Sequence, residues 1–113
     1  MIIHRVEHNR RRLRMQVHLC ESRVERGRGL LLRRRLDADT ALLLQECRAV
    51  HTIGMHYRID VLFCDAQGKI LRIERNVAPC RITREARASQ VWELRGGAAS
   101  DLGWEVGDEI RPC

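Results

Sequence analysis

The fourteen residues from Cys47 to Asp60 concentrate the reactive side chains of the chain. They hold the thiol of Cys47, the imidazoles of His51 and His56, the hydroxyl of Thr52, the phenol of Tyr57 and the carboxylate of Asp60, with Gly54 in their midst. Several chemistries use such a set. Cys47, His51 and His56, joined by Cys64, would offer zinc two thiolates and two imidazoles. Structural zinc sites usually pair their ligands as CxxC, and no CxxC occurs in this sequence. The motifs therefore imply neither a metal nor another cofactor. A thiol with His51 and Asp60 would make a nucleophile, a base and an orienting carboxylate. Cys47 serves equally well as a small core residue. His51 and Asp60 alone would make a general acid–base pair, because histidine titrates near neutral pH. Asp60 has a structural use as well: at the start of a strand, a carboxylate accepts hydrogen bonds from loop amides and fixes the turn after Gly54. Without any catalysis, His51-Thr52-Ile53-Gly54-Met55 would line a groove, with Met55 as an adaptable apolar contact.

Positioning these groups requires a rigid frame, and the strongest element lies directly after them. Residues 59–65 read as a strand, Ala66-Gln67-Gly68-Lys69 as a turn with Gly68 able to take positive φ, and residues 70–77 as the returning strand. Pro79 ends this hairpin, because it cannot donate to a ladder. Upstream, Leu13, Met15, Val17 and Leu19 alternate with polar residues, the pattern of a half-buried strand. Ser22-Arg-Val-Glu25 is a capping box, and Gly27 and Gly29 close a helix of about two turns. Leu30 to Leu32 are expected to pack beneath that helix, with a turn at Arg33–Arg35. Ala41–Leu44 is a short apolar run that fits a strand, although periodicity does not separate it from a buried helical turn; residues 89–94 read as an alternating strand, Ala98–Leu102 as one helical turn ended by Gly103, and the segment from Ile110 as a last short strand. Residues 1–12, cationic and poor in apolar residues, read as a mobile basic arm, and residues 13–113 as a single β-rich domain. Many short strands with glycine turns favour a mainly β domain with short helices (α+β), a small antiparallel β-barrel-like unit.

Charge is distributed unevenly along the 113 residues. The net charge is +6, yet residues 1–36 alone carry eleven arginines against three glutamates. The excess concentrates in Arg10, Arg11, Arg12 and Arg14, and in Arg33, Arg34 and Arg35, a basic patch that would attract phosphate. One Phe, one Tyr and two Trp supply little for base stacking, and neither helix-turn-helix nor zinc-finger spacing is present. Twenty arginines against one lysine fit the use of arginine for every surface cation. Five irregularly spaced cysteines argue against a disulfide framework and for buried thiols, and no apolar run approaches a membrane span. The N-terminus shows no apolar signal core, so the expected location is cytoplasmic.

Gly29-Leu-Leu, Cys47-Arg-x-Val-His51-Thr52-Ile-Gly54-Met55-x-Tyr57-x-Ile59-Asp60-Val-Leu-Phe63-x-Asp65-x-x-Gly68, and the tail from Ala88 through Gly96-Gly97 to Val106-Gly107-Asp108 resemble the domain of unknown function 192 family. The resemblance spans residues 13–111 and implies a compact, mostly antiparallel β-barrel-like fold of bacterial and archaeal type, without an assigned reaction. Arg58 stands where many relatives carry proline, and Cys80 where proline–tryptophan is common.

The resulting expectation is a non-enzymatic ligand- or protein-binding module. Its candidate site is His51, Thr52, Gly54, Met55, Tyr57 and Asp60, flanked by Arg28 and Arg48, and its partner is a small ligand or an acidic protein. The alternatives are a small hydrolase-like enzyme using His51 and Asp60, and weak nucleic-acid binding through the basic N-terminal third.

Overall fold

The computed structural model describes residues 2–20, 36–53 and 55–113. The helix expected near Ser22, the turn at Arg33–Arg35, Arg28 and Gly54 lie outside them. The described elements are β1 (Ile2–His8), β2 (Arg11–Cys20), β3 (Thr40–Gln45), β4 (Ala49–His51), β5 (Ile59–Cys64), β6 (Ile70–Val77), β7 (Ile82–Arg84), β8 (Gln90–Arg95), α1 (Ala98–Leu102) and β9 (Ile110–Pro112). Seven strands form one sheet in the order β6-β5-β8-β3-β2-β1-β9, and β4 pairs with β7 in a second sheet.

The central strands β3, β5 and β8 are buried along nearly their whole length, which explains the unbroken apolar runs Ala41–Leu44 and Val61–Cys64. Side chains alternate between two apolar clusters on opposite faces. Leu43, Leu62, Trp92 and Leu94 enter one cluster with Trp104 and Ile110. Leu42, Leu44, Val61, Phe63 and Val91 enter the other, beneath Leu36, Val50 and Ala88.

Three expectations are corrected. The sheet is mixed rather than antiparallel, because β2 and β3 run parallel, with Gln16 opposite Thr40 and Cys20 opposite Leu44. Its two ends meet at a single bridge, Lys69–Glu109, supported by amide bonds such as Ile70 N–H to the Asp108 carbonyl (2.8 Å), so the sheet curls without closing into a barrel. Gly68 permits this approach: its φ is +88°, and a Cβ there would sit 2.2 Å from the Ile110 carbonyl oxygen. The third correction concerns the expected arm. Residues 2–8 are β1, hydrogen-bonded to β2 on one side and to β9 on the other. The turn into β2 uses Asn9 (φ 48°) and Arg10 (φ 69°), the positive-φ pair that suits two-residue hairpins. β1 buries Val6 but exposes Ile3 and Arg5, so its apolar signal was too thin to read as a strand.

The 59–77 hairpin forms as expected, with Leu62 opposite Ile73 and Phe63 opposite Arg72. The helical turn at Ala98–Leu102 and its glycine stop at Gly103 also form.

Candidate functional site

Asp60 is completely buried, and its carboxylate accepts three backbone hydrogen bonds. Asn76 N–H (2.9 Å) and Gly97 N–H (3.1 Å) reach Oδ1, and Ala99 N–H (2.9 Å) reaches Oδ2. The last two are first-turn amides of α1, which has no side-chain cap of its own. A carboxylate from β5 thus caps a helix 37–39 residues downstream and pins the end of β6. The expected loop amides are replaced by those of strand β6 (Asn76) and the start of α1 (Gly97, Ala99), and the turn after Gly54 is not among them.

Thr52 is a second buried tie. Its hydroxyl donates to the Ala78 carbonyl (2.7 Å) and accepts from Arg81 N–H (2.9 Å). Its own N–H donates to the Arg81 carbonyl, and its carbonyl accepts from Cys80 N–H. Thr52 therefore fixes the irregular stretch from Ala78 to Arg81, where Cys80 holds a positive φ of 63°.

The other expected site residues disperse. His51 is exposed on β4 opposite Ile82, His56 is exposed, and Met55 and Tyr57 pack partly against the second apolar cluster. No hydrogen bond joins His51 to Asp60, whose oxygens are engaged by amides. Arg48 is exposed, and its carbonyl accepts from Glu85 N–H. Cys47 and Cys64 lie in opposite apolar clusters, so the proposed zinc set does not converge. Burial, with the charge of Asp65 second, pushes the Cys64 thiol up to about 12, which keeps it protonated and inert. Cys20, Cys47 and Cys64 are buried as expected, whereas Cys80 and Cys113 are exposed. The basic residues Arg10, Arg11, Arg12 and Arg14 are exposed along the β1–β2 turn.

The structure brings together a different set. Arg58, Arg72, Arg75, Arg81 and Arg84 line one groove of about 540 Å³ between β6 and β7, with Glu74 as its lone acid. Arg72 ion-pairs with Glu74 and donates to the Arg84 carbonyl (3.1 Å), linking the two walls. Arg58 donates to the Asn76 carbonyl (3.0 Å), and Arg75 to the Ser100 hydroxyl (2.9 Å). Among the described residues, no hydrogen bond or ion pair holds the guanidinium of Arg81 or Arg84. Ile82, 72% exposed, projects from the same wall. Asn76, Ala78 and Arg81, which Asp60 and Thr52 tie down, all line this groove. The central loop therefore builds the groove from behind and contributes Arg58 to it. Sequence reading missed these arginines because they fall 3–14 positions apart, without periodicity.

A second buried carboxylate stands in contrast to Asp60. Glu93 on β8 lies between Leu42 and Val61 on the opposite face of the sheet, and burial pushes its pKa up to about 8. No helix among the described residues is long and apolar enough to cross a membrane.

The fold recurs in solved structures. A protein of Sinorhizobium meliloti 1021, described as a candidate transcription regulator, is similar with a TM-score of 0.86 and 26% identity over 98% of this chain and 94% of the other. A protein of unknown function from Novosphingobium aromaticivorans DSM 12444 is similar with a TM-score of 0.81 and 20% identity, over 97% and 84% of the two chains. No curated protein matches. The model of the domain of unknown function 192 family, described as uncharacterised ACR, matches residues 4–112, and the chain belongs to that family.

Proposed function

We propose that this chain is a binding module for anionic partners and that its site is the groove between β6 and β7. The observation that supports the reading is the convergence of five arginines on one groove, two of them with guanidinium groups unengaged among the described residues. A guanidinium presents a planar fork suited to carboxylate and phosphate. Several such groups in one concavity raise the local potential and attract anions from solution. The volume falls within the range of about 300–1,000 Å³ usual for ligand sites. In this reading Thr52 and Asp60 hold the walls and Arg58 belongs to the binding face, while His51, paired with Ile82 on the far side of β7, does not line the groove. Hydrolysis by His51 and Asp60 is not favoured, since the Asp60 carboxylate is buried and committed to three amides.

The test is fluorescence anisotropy of labelled poly-L-glutamate at increasing NaCl, with the wild-type chain and two double variants. Saturable, salt-sensitive binding that Arg81→Glu/Arg84→Glu weakens by about tenfold or more and Arg10→Glu/Arg11→Glu leaves nearly unchanged supports the groove. Loss confined to the Arg10/Arg11 variant would place the activity on the β1–β2 turn instead.

A further inference from the structure

We infer that the anionic partner is an acidic polypeptide segment in extended conformation, which pairs with the free edge of β6 while its carboxylates reach the groove arginines. This deepens the proposed anion-binding reading and rests on it. The argument begins with which residues line the groove. On the face of a sheet, only every second residue of a strand can contribute. Here β6 and its continuation contribute 74–78 in unbroken succession, and the facing wall contributes 81–84 in the same way. Consecutive lining residues mean that the groove runs along two strand edges rather than across a face.

Neither strand has a second strand neighbour on this side. β6 is the end strand of the seven-stranded sheet, with β5 as its strand neighbour. Its first residue, Ile70, is bonded to Asp108 and Gly107, and Asn76 near its far end is bonded to Asp60 and Arg58, so the open edge is residues 71–75. β7 has β4 as its neighbour in the second sheet. Unpaired strand edges present backbone N–H and C=O groups to an incoming chain, the basis of strand addition in peptide recognition. An added strand also places its side chains alternately. Acidic residues on one side would face the arginines, and an apolar residue would meet Ile82, the most exposed large apolar side chain among the described residues.

Other anions suit the groove less well. A single phosphate or free dicarboxylate is too small to engage arginines distributed from Arg58 to Arg84 along two strands. A single-stranded nucleic acid would be expected to stack its bases on aromatic rings, and no aromatic residue lines the groove. A helix that reads the major groove of a duplex is not supplied by the described helix, which has five residues.

The deciding experiment titrates the full chain with a labelled peptide of about eight residues that alternates glutamate with valine or threonine. Three comparison probes are used: the same peptide with alternate amides N-methylated, an oligothymidylate of equal charge, and inorganic phosphate. The expected result is saturable peptide binding, weakened about tenfold or more by N-methylation and by Arg81→Glu/Arg84→Glu. Slowed hydrogen exchange at those amides of residues 71–75 that β5 does not hold should accompany it. Equal binding of the N-methylated peptide would overturn strand pairing while leaving the anion site standing. Tighter binding of the oligothymidylate or of phosphate would overturn the polypeptide assignment. Absence of binding to all four probes would overturn both this inference and the anion-binding reading. Should the double variant prove unfolded by circular dichroism, the single variant Arg84→Glu and the salt dependence of the wild-type titration decide the charge contribution.

Discussion

Arg10, Arg11 and Arg12 follow one another at the β1–β2 turn, whereas Arg58 before β5, Arg72 and Arg75 on β6, and Arg81 and Arg84 at β7 meet in one groove. Neighbouring residues on a strand point to opposite faces, so a run of arginines in a hairpin spreads its charge. Residues on different elements can be aimed at one point. The two regions also differ in how they are anchored. The turn is held by surface groups: the Asn9 side chain accepts from Glu109 N–H (2.8 Å), and His8 Nε2 contacts an Asp108 carboxylate oxygen at 2.8 Å. The groove is held by buried groups, Asp60 and Thr52. Charge density along the chain is therefore a poor guide to the field that a partner meets, and the depth of the anchoring polar groups is a better one.

The difference in anchoring predicts unequal sensitivity to mutation. Asp60→Ala leaves three amides without acceptors beside a buried position, so it should cost about 3 kcal/mol or more. In a thermal melt this corresponds to a Tm lower by at least about 10 °C. A loss below about 1 kcal/mol would show that Asp60 does not hold the wall.

Glu93 lies behind the groove side, in the row Leu42–Glu93–Val61–Glu74 across three strand pairings. Its folded pKa of about 8 lies above the ordinary value of 4.5, so the folded state holds a proton that the unfolded state releases. Stability from this group is fully present below about pH 4.5 and lost as pH rises toward about 8, by a few kcal/mol. Glu93→Gln should flatten that decline between about pH 5 and about pH 9. An unchanged slope would mean that Glu93 is charged in the fold.

Charge reversal then tests the arginines themselves. Arg81→Glu should weaken binding of an acidic peptide by about tenfold, near 1.4 kcal/mol, while Arg10→Glu changes it by less than about twofold. Equal losses would erase the distinction between the regions.

The smallest effect belongs to the turn. The His8 hydrogen bond, ahead of one from Glu105 N–H, holds the Asp108 carboxyl below its usual range. The stability it lends is present above the ordinary carboxylate pKa and lost as pH falls through the lowered one. Because the pair is near the surface, Asp108→Asn should cost no more than about 1 kcal/mol in a denaturant titration, most of it at neutral pH.

How far the sequence reached follows from the same contrast. β5 is legible as a strand and β8 as an alternating one, the apolar run of β3 fits a strand or a buried helical turn, and Gly68 and Gly103 mark real turns. β1 and β7 are not legible, because one buries little beyond Val6 and the other is three residues long with Ile82 exposed. The loop from His51 to Asp60 is dense in polar groups. Its two buried polar members, Thr52 and Asp60, hydrogen-bond to backbone groups. Nothing in residue type distinguishes that use from ligand binding, since both need an acceptor or donor fixed in place. The groove was invisible for another reason: it is a property of strand order, which puts β6 at the end of its sheet and β7 beside it.

The central claim is most directly tested by an amide-resolved NMR titration of the chain with the alternating acidic peptide. The account predicts that the largest shift changes fall on the backbone amides of residues 71–75 and 81–84, with those of residues 9–12 nearly still. Largest changes at residues 9–12, or on His51 to Tyr57 with β6 unmoved, would contradict it.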